Sequence, residues 1–158
     1  MSRLRHDDLA GNATRAEQVG ALCWRVRRGS IQILLVTSRD TGRWVVPKGW
    51  PMPGRTPHGA AAREAWEEAG VEGAAKACCL GTYTYDKVLD AGRVVCCTVS
   101  VFPVEVTALA KRWPEKHERR RRWMDLPAAA RRVQEPELAA LIAAFDPATL
   151  GSGDNAAA

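Results

Sequence analysis

Between residues 19 and 47 the chain alternates short apolar runs with charged breaks. VGALCWRV (19–26) and IQILLVTS (31–38) are rich in β-branched and aliphatic residues and predict two strands, with RRGS between them as a hairpin turn. RWVVP (43–47) predicts a further short strand ended by proline. The pattern then changes period, and TPHGAAAREAWEEAG (56–70) reads as a helix from Pro57 to about Ala69, with Thr56 as N-cap, Pro57 at the first helical position and Gly70 as the left-handed stop. KACCLGTYTYDKV (76–88) and RVVCCTVSVFPVEV (93–106) predict two long antiparallel strands joined around LDAGR, and RRRRWMDL (119–126) predicts another strand. PAAARRV (127–133) and PELAALIAAF (136–145) read as helices, each opened by proline. Strands and helices mixed without strict alternation indicate an α/β (α+β) layered domain rather than a doubly wound sheet.

Length and composition narrow this to one soluble domain. A chain of 158 residues buries a proper core as a single unit, placed here at 17–146, while the small, polar or Gly-rich ends 1–16 and 147–158 are expected to be flexible. No apolar run approaches the roughly 20 residues of a membrane span, and the N-terminus lacks an apolar signal core, so no membrane partner and a cytoplasmic location are expected. The five cysteines include two adjacent pairs, Cys78–Cys79 and Cys96–Cys97, without C-x-x-C spacing. They suggest neither zinc nor a disulfide framework, and each pair on a strand would send one thiol inward. The net charge of +5 is concentrated in KRWPEKHERRRR (111–122), which suits a polyanionic partner and equally a solvated loop. Nothing in the sequence fixes an oligomeric state.

Against that basic background, Glu64, Glu67 and Glu68 stand within five residues of one helix. At about 100° per residue they share a face, with Ala62, Ala65, Trp66 and Ala69 opposite as the expected packing side. Like charges at these spacings cost a few tenths of a kcal/mol per pair, so the cluster calls for a cation. Arg63 can pair with Glu67 at i+4, leaving Glu64 and Glu68 as an oxygen pair suited to Mg²⁺. A solvated acidic face is the plainer reading of the three glutamates by themselves.

Written out, Gly49, Arg63-Glu64, Glu67-Glu68, Gly70 and Val71 resemble the Nudix box, G-x5-E-x7-R-E-U-x-E-E-x-G-U, where U is a bulky apolar residue. The departures are Arg55, where the family has Glu, and Ala65, where it has a larger aliphatic residue. The resemblance implies an α/β/α sandwich around a mixed β-sheet and hydrolysis of a nucleoside diphosphate derivative or a related pyrophosphate with a divalent metal, Mg²⁺ or alternatively Mn²⁺. It marks Glu64, Glu67 and Glu68 as metal carboxylates, a carbonyl of Lys48 or Gly49 as a further ligand, Arg63 as the residue that orients the glutamates, and Glu68 as the favoured general base.

RWVVPKGW, LLVTSR and RRRRW also resemble the branch that cleaves diphosphoinositol polyphosphates and diadenosine polyphosphates. Those substrates need a basic pocket, for which Arg39, Lys48, Arg55, Lys87, Arg93 and Arg119 are the candidates. Arg55 suits either a substrate phosphate or no role at all. Trp50, in a loop, suits either base stacking or packing, whereas Trp44 reads as core. His58 and His117 read as surface residues. The competing functions are hydrolysis of NTPs or nucleotide sugars, removal of pyrophosphate from an RNA 5′ end, and a non-catalytic nucleotide- or RNA-binding module.

Overall fold

The computed structural model describes residues 15–151; most of the two ends expected to be flexible therefore lies outside the described residues. β1 (Arg15–Arg27) and β2 (Ser30–Thr37) form the expected hairpin. Its two turn residues, Arg28 and Gly29, both have positive φ, 52° and 79°, as a type I′ turn requires. β3 (Trp44–Val45) and β4 (Lys48–Gly49) precede α1 (Pro57–Ala69). Then come β5 (Val71–Ala75), β6 (Gly81–Val88), β7 (Val94–Leu109), β8 (Arg121–Asp125), α2 (Leu126–Arg132) and α3 (Pro136–Ala143).

The eight strands make one mixed sheet with the central order β3-β2-β1-β7-β5. β1 and β7 run parallel, and the other pairs are antiparallel. β1 changes partner along its length: Cys23–Arg27 pair with β2, while Val19 and Gly20 pair with β4. β7 does the same, pairing with β6 up to Val101 and with β5 from Val104. The sheet thus splays, and the opening beside β4 becomes the cleft described below.

Period-2 alternation sends side chains to two cores. Leu22, Ile33, Leu35, Val99 and Val101 face α2 and α3, where Leu138, Ile142 and Phe145 cover them. Ala21, Cys23, Leu34, Val36, Phe102 and Val104 face α1. The helix meets them with Ala60, Ala61, Ala65 and Ala69, small enough to bring its axis close to the sheet. Helices on both faces of a mixed sheet form the expected α/β/α sandwich.

Several expectations are corrected. Ala62 and Trp66 are only partly buried, because the packing stripe of α1 runs through Ala61, Ala65 and Ala69 and takes Glu68 with it. The glutamates therefore border the packing face instead of opposing it. β5 occupies VEGAA, a segment with little strand propensity, because β7 offers it an open edge; Lys76–Leu80, expected to begin a strand, is irregular. Cys79 is consequently exposed in a loop, whereas Cys97 is buried on β7 as its alternation requires. His58 is buried on α1 with Nε2 unpartnered, close to Phe102.

Candidate active site

The two ends of α1 are fixed differently. At the start, Thr56 Oγ1 accepts a hydrogen bond from the Gly59 N–H at 3.1 Å. At the end, Gly70 adopts φ 67°, and a side chain there would run into Trp113 and Arg121. The last carbonyls of a helix need donors from elsewhere. Here the segment before β8 and the first residue of β8 supply them: the Glu115 N–H donates to Glu67 O (3.0 Å), Trp113 Nε1–H to Glu68 O (3.2 Å) and an Arg121 amino group to Ala69 O (2.8 Å). Arg121 also lies over the Trp113 ring at 3.9 Å. These bonds tie the 110–118 segment to α1 and bring Glu115 beside Glu68.

The three box glutamates part company. Glu67 bonds Arg63 at 2.8 Å, as the i,i+4 spacing predicts, and both remain partly exposed. Glu64 lies against the Cα of Gly49, where any Cβ would overlap its carboxylate. A side chain at 49 would push that carboxylate out of its place. Glu68 is buried and reaches an amino group of Arg119 at 3.5 Å. Arg119 itself is only 10% exposed, bonds Glu115 Oε1 at 2.6 Å and donates to Thr37 O at 3.1 Å. Its guanidinium is thus occupied in orienting carboxylates.

Burial, reinforced by the charges of Glu68, Glu67 and Glu115, pushes the Glu64 carboxyl up to about 8. Burial also pushes Glu68 up to about 7, although Arg119 and Lys48 pull against it. The Lys48 ammonium, lying 4.8 Å from the centre of the Tyr85 ring, is lowered by burial, with Glu68 opposing the shift. Two neighbouring carboxyl groups that resist ionisation hold protons tightly when no cation is present, and a divalent ion would compensate their negative charge in the protons' place. Among the described residues no three His, Cys, Asp or Glu side chains converge as a complete metal cage. Two carboxylates with room for water and phosphate nevertheless match the needs of Mg²⁺. Glu64 and Glu68 fit such an ion.

A cleft of about 390 Å³ opens over this pair. Of the residues expected at the site, Arg39, Lys48, Gly49, Glu64, Glu68, Lys87 and Arg119 line it. Arg63 and Glu67 do not, and Arg93 lies exposed at the start of β7's hairpin. Arg55 lines a separate hollow of about 220 Å³ with Met52, Pro57 and Phe102. Trp50 is half-buried in the cleft wall, near Tyr85.

Sequence reasoning did not single out Gln18, Arg43, Tyr85 or Glu115, all of which line the cleft. Gln18 accepts a hydrogen bond from the Tyr85 hydroxyl at 2.7 Å, and Arg43 pairs with Glu135 at the start of α3 at 2.8 Å. These partners lie 67 and 92 residues apart, so only tertiary structure joins them.

Comparison with known proteins agrees with this architecture. A family model described as the NUDIX domain matches residues 16–145. Nudix hydrolase 13, mitochondrial, of Arabidopsis thaliana is 33% identical over 104 residues, covering 63% of this chain and 52% of its own. Diphosphoinositol polyphosphate phosphohydrolase 3-alpha of Mus musculus is 44% identical over 57 residues, 36% of this chain and 35% of its own. The chain thus matches about half the length of the first relative and about a third of the second. Among solved structures, the C. elegans Ap4A hydrolase superposes with a TM-score of 0.56 at 22% identity, covering 80% of this chain and 92% of that one, a likeness of fold.

Proposed function

The chain belongs to the Nudix family, and on that premise we propose that it is a Mg²⁺-dependent pyrophosphohydrolase. Its substrate is a polyphosphorylated small molecule, such as a diphosphoinositol polyphosphate or a diadenosine polyphosphate, cut at a phosphoanhydride bond. The observation that carries this reading is the pair of buried Glu68 and half-buried Glu64 facing a cleft that also contains Lys48 and Lys87. The name of the mouse relative supports the substrate class.

A bound divalent ion would offset phosphate charge and lower the pKa of an attacking water. Glu64 and Glu68 would hold that ion, and Glu68 would accept the proton the water gives up. Arg119 keeps the Glu68 carboxylate turned toward the cleft. Lys48 and Lys87 donate hydrogen bonds to phosphate oxygens as charge passes to the leaving group. Arg63 holds Glu67 by their ion pair at the margin of the site.

The test is product release from diphosphoinositol phosphates, Ap4A, Ap5A, Ap6A, NTPs, ADP-ribose and 5′-triphosphate RNA, each with Mg²⁺ and with chelator. Cleavage of the first four that chelator abolishes is expected. Tight binding without cleavage of any member would replace the hydrolase with a binding module.

A further inference from the structure

We infer that Thr37, buried at the end of β2, is a positioning residue for Glu68 that acts through Arg119: its hydroxyl takes over a ladder hydrogen bond and so frees its carbonyl to anchor the Arg119 guanidinium. The inference rests on the pyrophosphohydrolase reading for the reaction that this anchoring serves.

Arg119 uses every corner of its guanidinium. Nε–H donates to Glu115 Oε1 at 2.6 Å, one terminal amino group donates to Thr37 O at 3.1 Å, and the other lies 3.5 Å from Glu68 Oε2. One planar group thus joins the end of β2, the 110–118 segment and α1. The guanidinium is rigid but its stem is flexible, so it holds two carboxylates in place only where something holds it in turn. The Thr37 carbonyl is that anchor.

The anchor is available because of a side chain. The pairing of β2 with β8 ends at Val36 opposite Arg121, which makes Thr37 and Arg120 the next pair along. In a regular antiparallel ladder two such residues exchange both backbone bonds. Here Thr37 N–H donates to Arg120 O at 3.0 Å, whereas Arg120 N–H donates to Thr37 Oγ1 at 2.9 Å. The hydroxyl stands in for the carbonyl, and the carbonyl turns to Arg119.

Thr37 is 4% exposed and is not among the residues that line the cleft, so it serves the site at one remove. Arg39 and Glu118 join the same two segments a second time at 3.0 Å, but that ion pair is exposed and contributes little. The firm tie is the buried one through Thr37.

The experiment compares the wild-type protein with Thr37→Val, which keeps the branched shape and loses the acceptor, and with Thr37→Ser, which restores it. Where valine does not fold, Thr37→Ala removes the same acceptor with a smaller side chain. The first readout is the Arg119 Nε–H resonance in ¹H–¹⁵N NMR spectra of the metal-free protein, assigned with Arg119→Lys. The second is Mg²⁺ affinity, from the rise of Tm with Mg²⁺ concentration. The third is kcat and KM for Ap4A. Thr37→Val should move or broaden the resonance, weaken Mg²⁺ by about tenfold and lower kcat by about tenfold with KM little changed. Thr37→Ser should return all of these toward wild type.

A Thr37→Val protein with the wild-type resonance and Mg²⁺ affinity would overturn the inference, even if its Tm were lower, because a hydroxyl that only completes the ladder affects stability alone. So would a Thr37→Ser protein as impaired as Thr37→Val, which would assign the effect to the methyl group. If nothing is cleaved by the wild-type protein while the resonance moves in Thr37→Val and returns in Thr37→Ser, the anchoring stands and the hydrolase reading falls.

Discussion

Glu68 occupies a position on the buried stripe of α1 that an alanine or leucine would fill without penalty, so its carboxylate is held against the grain of the packing. Replacing it with Gln keeps the shape and removes the charge. Turnover should fall by roughly 10²- to 10⁴-fold while far-ultraviolet circular dichroism is unchanged; a well-folded Glu68→Gln protein with near-normal activity would sink the assignment of Glu68 as base. The same burial predicts a pH dependence. Glu64 and Glu68 have folded values of about 8 and 7, above the ordinary 4.5, so the folded state binds more protons than the unfolded one between those limits. Stability of the metal-free protein should therefore decline as pH rises from about 4.5 to about 8 and level off above that. Urea denaturation in chelator at about pH 5 and about pH 8.5 would measure this decline, and a Glu64→Gln/Glu68→Gln variant should show much less of it.

At the scale of the element, α1 depends on what caps it. Thr56→Ala removes one cap bond and should cost about 1 kcal/mol. Gly70→Ala should cost at least about 1 kcal/mol, since the left-handed backbone and the closeness of Trp113 both oppose a side chain there. Arg121→Ala goes further, because Arg121 bonds Ala69 O and Ala110 O and covers Trp113. Stability in urea and kcat should fall together in that variant, because the segment it secures carries Glu115 and leads into Arg119. The helix and its caps were legible in the sequence because Thr56, Pro57 and Gly70 act locally. β5 was not, since its pairing comes from β7, and neither was the burial of Glu68, which depends on which side of α1 the sheet meets. Arg119 was singled out as a phosphate contact, but its pairing with Glu68 and Glu115 was not legible, because Glu68 reaches it only through the tertiary fold.

For the molecule as a whole, a divalent ion that binds only the folded protein must raise its stability. Mg²⁺ at about 100 times its Kd should add about 2.7 kcal/mol, seen as a higher Tm that chelator reverses. The sandwich itself was foreseeable from strand and helix patterns and from the Nudix-like spacing, but the pairing of its centre was not, because alternation does not reveal a strand's neighbour. That centre is the parallel match of β1 with β7, which sets Arg15 opposite Cys96 and Trp24 opposite Glu105. On the ribosome, β1 therefore emerges long before its partner exists. At roughly 5–20 residues per second, the nascent chain carries an open apolar edge for about 4–16 s. A polypeptide halted before Val94 should sediment with aggregates unless a chaperone shields it.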